Sequence, residues 1–201
     1  MIYLPIKNNQ IKLFLSNRIT DNDTSPIGEL ENTESKTTNY KIGFTNYSDS
    51  RYINFMIERF NMGYGIPPTS NGHIEGVDIF LLKDSYQFNY HQDISLMSFN
   101  QFDAKLNLID YVHVELVNDE LNNDNIFEII DSSLYHVSLA KKTNNLKVEL
   151  SSDNSIIGIE YNLKEFNPEG FYLTPITNET HLSFFGFHQK TLMKSNLDLL
   201  G

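Results

Sequence analysis

Three pairs of apolar-rich segments along this chain are each joined by a short polar stretch, a pattern typical of β-hairpins. The first such stretch contains Asn8 and Asn9, residues that tolerate the positive φ of a tight turn. The pattern therefore predicts antiparallel strands in both terminal thirds of the chain. The paired segments are 2–6 with 11–15, 146–150 with 156–163, and 171–176 with 181–187.

Two other segments place apolar residues at the three- and four-residue spacing of an amphipathic helix. In residues 49–62 one helical face would carry Ile53 and Ile57, and Gly63 follows as a C-terminal stop. Residues 124–137 repeat the same spacing after a polar turn. The sequence therefore predicts helices over these two segments.

Strands outnumber helices and are arranged in hairpins, so the pattern predicts an α+β fold with a predominantly antiparallel sheet. Residues 20–39 form a long polar stretch, which predicts a mobile loop. No break in composition divides the chain, so we expect a single domain over residues 1–201. The expected core residues are Ile53, Met56, Phe60, Ile79, Leu81, Val112, Val114, Ile130, Val148, Ile159 and Tyr161.

The bulk composition is that of a globular protein, with 40% hydrophobic and 12% aromatic residues. There is no cysteine, which excludes disulfides, thiolate metal sites and thiol nucleophiles and fits a reducing compartment. The first residues lack the pattern of a secretion signal. The longest apolar run, Ile79–Leu82, is far shorter than the ~20 residues that span a bilayer as a helix. We therefore expect a cytoplasmic protein without a membrane span.

Negative charge is concentrated in residues 61–140, which carry twelve carboxylates against two basic side chains, Lys83 and Lys105. This block accounts for ten of the eleven net negative charges of the chain. Such a concentration creates a field that attracts a cationic partner and repels polyanions. Nucleic-acid binding is disfavoured because it needs a basic stripe, and Lys141-Lys142 is the only adjacent basic pair.

The second predicted helix would gather acidic residues within about 60° around its axis, away from its apolar face. No lysine at i+4 balances them, and unpaired like charges cost stability unless a partner supplies the cations. A tyrosine on the same side would add an aromatic anchor. An ordinary solvated helix face is the alternative interpretation. The predicted partner-binding residues are Asp119, Glu120, Asp124, Glu128, Asp131 and Tyr135.

Motifs for common reactions are incomplete in this chain. Residues 63–65 are the only Gly-x-Gly, and prolines follow where a phosphate-binding helix should begin. A calcium-loop start at Asp21 has Pro26 where glycine is needed. The His-x-Glu at 73–75 lacks the downstream cysteines of a zinc deaminase. The sequence therefore predicts no cofactor, metal or catalytic residue and leans against an enzyme.

Three functional hypotheses follow from these observations. The first is a non-enzymatic protein that occludes a basic protein partner, such as a toxin or effector, in the manner of bacterial immunity proteins. This is an analogy from size, acidity and missing catalytic motifs. The second is a structural subunit of a phage particle or secretion assembly, which predicts self-association. The third is an enzyme whose carboxylate or histidine site assembles only in the fold.

Overall fold

The computed structural model describes residues 2–69, 76–116, 137–170 and 175–190. All regular secondary structure in these ranges is β-strand. The ranges therefore contain no helix long and apolar enough to cross a membrane. The strands are β1 (Ile2–Ile6), β2 (Asn9–Thr20), β3 (Thr24–Ser25), β4 (Gly28–Glu29), β5 (Ser35–Ser48), β6 (Arg51–Ile66), β7 (Val77–Leu96), β8 (Phe99–Leu116), β9 (Val137–Ser151), β10 (Ser155–Gly170) and β11 (Thr177–His188).

Nine of the strands form one antiparallel sheet in the order β1-β2-β5-β6-β7-β8-β9-β10-β11. The two short strands β3 and β4 pair with each other as a separate ribbon between β2 and β5. Apart from this ribbon, each strand pairs with the strands before and after it in the chain, as in a meander. Strand order in the sheet is therefore chain order.

The two ends of the sheet differ in the length of their connections. At one end, which we call the short-turn end, the strands are joined by residues 7–8, 49–50, 97–98 and 152–154. At the opposite end, which we call the long-connection end, the intervening residues are 21–34, 67–76, 117–136 and 171–176. Lys7 and Met97 open two of the short turns with φ values of 52° and 53°, the left-handed conformation that two-residue hairpin turns require.

The buried apolar residues lie at the long-connection end of β7, β8 and β9. Val114 is fully buried and is the register partner of Phe80, which is 3% exposed. Of the expected core residues, Ile79 and Val114 are buried, most others are half-buried, and Tyr161 is 38% exposed. Ile130 lies outside the described residues. The buried core is therefore confined to one end of the sheet.

The α+β prediction is wrong for the described residues, which form an all-β structure. Residues 49–62 are not a helix but a turn followed by most of β6. A spacing of four residues, as between Ile53 and Ile57, places two side chains on one side of a helix and also on one face of a strand. Phe55 lies between them and completes the strand alternation. Backbone pairing with β5 and β7 on both sides then fixes the extended form.

The other predicted helix falls largely outside the described residues. Residues 124–136 are not described, and Val137, its predicted last residue, begins β9. Of the hairpins, the first is confirmed with its turn at Lys7 and Asn8, and the pairing of 146–150 with 156–163 is confirmed within β9 and β10. For the third, residues 171–174 lie outside the described residues, residues 175–176 are not a strand, and residues 181–187 belong to β11, which pairs with β10.

Candidate interaction surface

One row of side chains crosses all nine strands of the sheet and is apolar at every position. Its members are successive register partners, and directly opposed residues in an antiparallel sheet point to the same side. We call this set the apolar row, and the side of the sheet that it occupies the apolar face. The apolar row consists of Leu4, Ile11, Phe44, Phe55, Phe88, Leu106, Leu146, Tyr161 and Leu182.

The adjacent row on the opposite side of the sheet has the reverse character. Shifting one residue along every strand moves to the other face, because side chains alternate along a strand. In this second row only the proline lacks a polar side chain, so we call its side of the sheet the polar face. The row consists of Pro5, Gln10, Thr45, Asn54, Asn89, Lys105, Lys147, Glu160 and Ser183.

Large apolar side chains on the apolar face are open to solvent. Ile42 is 58% exposed, and its register partner Ile57 is 38% exposed. Phe184, two residues from the apolar row on β11, is 76% exposed. Single exposed apolar residues are ordinary on protein surfaces, but a continuous apolar patch marks a surface that contacts something else. The apolar face is therefore the strongest functional signal in the described residues.

The polar face, in contrast, carries charged groups that pair with one another. Glu58 forms an ion pair with Lys41 at 2.8 Å and accepts a hydrogen bond from the Ser85 hydroxyl at 3.3 Å. The Lys83 ammonium lies 3.7 Å from the Glu58 carboxylate. Burial alone would raise the pKa of Glu58. The hydrogen bond from Lys41, the charge of Lys83 and the amide of Asn39 outweigh burial and hold that pKa below its ordinary value.

Asparagine and histidine side chains extend this network along the polar face. The Asn145 amide donates to Glu160 at 2.8 Å and to Asn162 at 2.7 Å, and hydrogen bonds from Asn162 and Asn145 lower the pKa of Glu160. His91 lies 3.0 Å from Asp103, and this hydrogen bond raises the pKa of His91. The polar face thus carries a hydrogen-bonded network of its own.

A line of charged residues borders the apolar face toward the long-connection end. Arg59 donates two hydrogen bonds to Asp84, at 2.7 and 2.6 Å. Asp110, Lys142 and Glu165 continue this line as successive register partners across β8, β9 and β10. We call these five residues the charged border. The apolar row and its neighbours lie between this border and the short-turn end.

All six predicted partner-binding residues, Asp119, Glu120, Asp124, Glu128, Asp131 and Tyr135, lie outside the described residues. The described part of the acidic block does not form one surface, because its members divide between the two faces. On β7 and β8, Asp84 and Asp110 point to the apolar side, whereas Asp93 and Asp103 point to the polar side. The apolar face was not predicted from the sequence, although alternating segments such as 53–57 and 86–90 carry its signal.

A cavity of about 270 Å³ opens at the long-connection end. Its lining includes the carboxylates of Asp21, Glu34 and Asp78 and the ammonium of Lys36. Within the described ranges no cluster of histidine and acidic side chains is arranged to hold a metal ion.

No family model, curated protein or solved structure matches this chain. The contrast between the two faces of the sheet is therefore the main evidence about function.

Proposed function

We propose that this protein is a structural subunit of a larger assembly and that the apolar face of its sheet is the surface through which it joins that assembly. The observation that carries the proposal is the apolar row, which runs across all nine strands of the sheet. Burying apolar surface stabilises association by about 25 cal/mol per Å² removed from water. A chain whose apolar face stays in water does not gain this stabilisation.

The form of the sheet supports an assembly role over an isolated enzyme. Strands spaced ~4.8 Å apart give a nine-stranded sheet a width of roughly 40 Å, enough for an extended contact. The polar face carries a network of paired charges, whereas the apolar face exposes large apolar side chains. Within the described ranges no metal-binding cluster competes as a functional site.

The proposal is tested by measuring the mass of the full chain by size-exclusion chromatography with light scattering, in buffer without lipid or detergent. We expect a mass above the 23.2 kDa of a single chain. The double variant Ile42→Glu with Ile57→Glu places two charges at directly opposed positions of the apolar face. Its mass should fall to that of the monomer, because two buried unpaired carboxylates would oppose association.

The matched control is Gln10→Glu with Gln87→Glu, which adds the same charge on the polar face. Circular dichroism establishes that both double variants keep their strand content. The control should associate as the wild type does. A monomeric wild type, or equal masses for the two double variants, would overturn the proposal.

Binding of a basic protein through the acidic residues at 119–135 stays a separate prediction, as does a cytoplasmic location. Charge reversal by Asp124→Lys with Glu128→Lys should slow association with such a partner and weaken its dependence on salt. An affinity unchanged between low and high salt would contradict that hypothesis. The hypothesis of an enzyme likewise stays a prediction.

A further inference from the structure

We infer that the apolar face contacts the acyl chains of a lipid bilayer. This inference goes beyond the proposed function, because lipid on the apolar face would leave that face closed to a protein neighbour. It goes further by committing to lipid as the occupant, with a second copy of the chain as the alternative that the experiment separates.

The distribution of charge on the apolar face matches the layers of a bilayer. On β6 the apolar residues Ile53, Phe55 and Ile57 lie between two arginines, Arg51 and Arg59. These arginines are about 27 Å apart along the strand at ~3.4 Å per residue, close to the ~30 Å of a hydrocarbon core. Arginine side chains at such borders extend toward water while their stems stay in apolar surroundings. On β6, an uncharged stretch between two arginines is complementary to hydrocarbon between headgroups.

Two tyrosines on β7 each lie one position inside the polar margins of the apolar face, about 14 Å apart along the strand. Along the apolar face of this strand, Tyr86 and Tyr90 flank Phe88, with Asp84 before them and Gln92 after them. The Tyr90 hydroxyl donates a hydrogen bond to the Gln92 amide oxygen at 3.1 Å, so its polar tip points toward the short-turn end. Tyrosine is enriched at both membrane–water interfaces, because its ring is apolar and its hydroxyl is polar.

A bilayer contact also places a requirement on the two edges of the sheet. Backbone groups in hydrocarbon must all be hydrogen-bonded, so the edge strands β1 and β11 each need a pairing strand in the lipid-bound state. The polar face then lies against water or a polar partner.

A second copy packed against the apolar face would also remove it from water. A protein interface typically carries about one hydrogen bond per 100–200 Å² and a mixed apolar and polar composition. The apolar row offers only one side chain able to hydrogen-bond, that of Tyr161. Lipid requires no such partners, which favours it as the occupant.

The experiment uses the full chain mixed with phosphatidylcholine vesicles that contain a nitroxide-labelled phosphatidylcholine. The natural chain has no cysteine, so single cysteines can carry an environment-sensitive fluorophore. The test variant is Ile42→Cys on the apolar face, repeated as Ile57→Cys on the neighbouring strand. The matched control is Lys105→Cys, an exposed position on the polar face. Flotation on a density gradient measures vesicle binding of each labelled protein.

We expect the chain to float with the vesicles and the two apolar-face labels to lose most of their fluorescence to the nitroxide. The Lys105→Cys label should keep most of its fluorescence. A chain that floats with equal quenching on both faces overturns the inference. A defined oligomer in buffer that fails to float overturns the inference and leaves the proposed function standing. A monomer that fails to float overturns both.

Discussion

Arg59 on β6 and Asp84 on β7 form a two-bond ion pair at the margin of the apolar face, with N–O distances of 2.7 and 2.6 Å. They are register partners, so the pair lies straight across two strands. Asp84 also has Asp110 as its partner on the other side, and like charges directly opposed destabilise a sheet. Arg59 therefore neutralises the acidic part of the charged border.

Removal of this pair should destabilise the sheet measurably. In Arg59→Met the Asp84 carboxylate, whose side chain is 18% exposed, loses two charge-assisted hydrogen bonds. We expect a loss of about 1 kcal/mol in the free energy of unfolding, between the values for exposed pairs and for buried charged hydrogen bonds. Urea unfolding of both proteins in the same buffer measures the change in the free energy of unfolding. Lys164→Met is the control, because the Lys164–Glu179 pair is open to solvent and 3.6 Å long, and equal losses in both variants would contradict the account.

A glycine on β10 should be intolerant of even one added methyl group. A Cβ at Gly158 would collide with the Phe185 ring and lie 2.7 Å from the Val148 carbonyl oxygen, which belongs to the backbone and cannot turn away. Gly158→Ala should therefore cost about 1–3 kcal/mol of stability by overpacking. Gly186→Ala, whose Cβ would have no neighbour closer than 3.6 Å, should be neutral or stabilising by up to about 0.5 kcal/mol. The melting temperatures of the two variants test this prediction. Gly158→Ala should melt below Gly186→Ala, and the reverse order would contradict the prediction.

Glu58 should make stability depend on pH on the acid side. Its pKa is lowered from the ordinary 4.5, so the folded state binds its proton less readily than the unfolded state. Its contribution is therefore complete above the unfolded value and is lost as pH falls through the folded pKa. Glu58→Gln should flatten this part of a stability–pH curve. The control is Ser85→Ala, which removes only a 3.3 Å hydrogen bond and should keep the loss of stability at acid pH. An unchanged stability–pH curve for Glu58→Gln would contradict the prediction.

The first two hairpins were predictable because their signals are local. The Asn8 turn and the alternation in 156–163 depend on neighbouring residues alone. The helix predicted for residues 49–62 is wrong because the spacing of Ile53 and Ile57 fits both the helical and the strand period. Pairing with a strand on either side determines that this segment is a strand. The apolar face depends on register between residues far apart in the chain. Leu4 and Leu182 share one row only through seven intervening strands, and no sequence window contains that relationship.

The most direct test of the central claim is the accessibility of the two faces in the protein's native setting. Ile42→Cys and Lys105→Cys are expressed separately in the source cells and exposed to a water-soluble maleimide before and after denaturation. Both positions are open to solvent in the isolated chain. If the apolar face is the contact surface, the cysteine at position 42 should react only after denaturation, while the cysteine at position 105 reacts at once. Equally fast reaction at both positions before denaturation would contradict the claim.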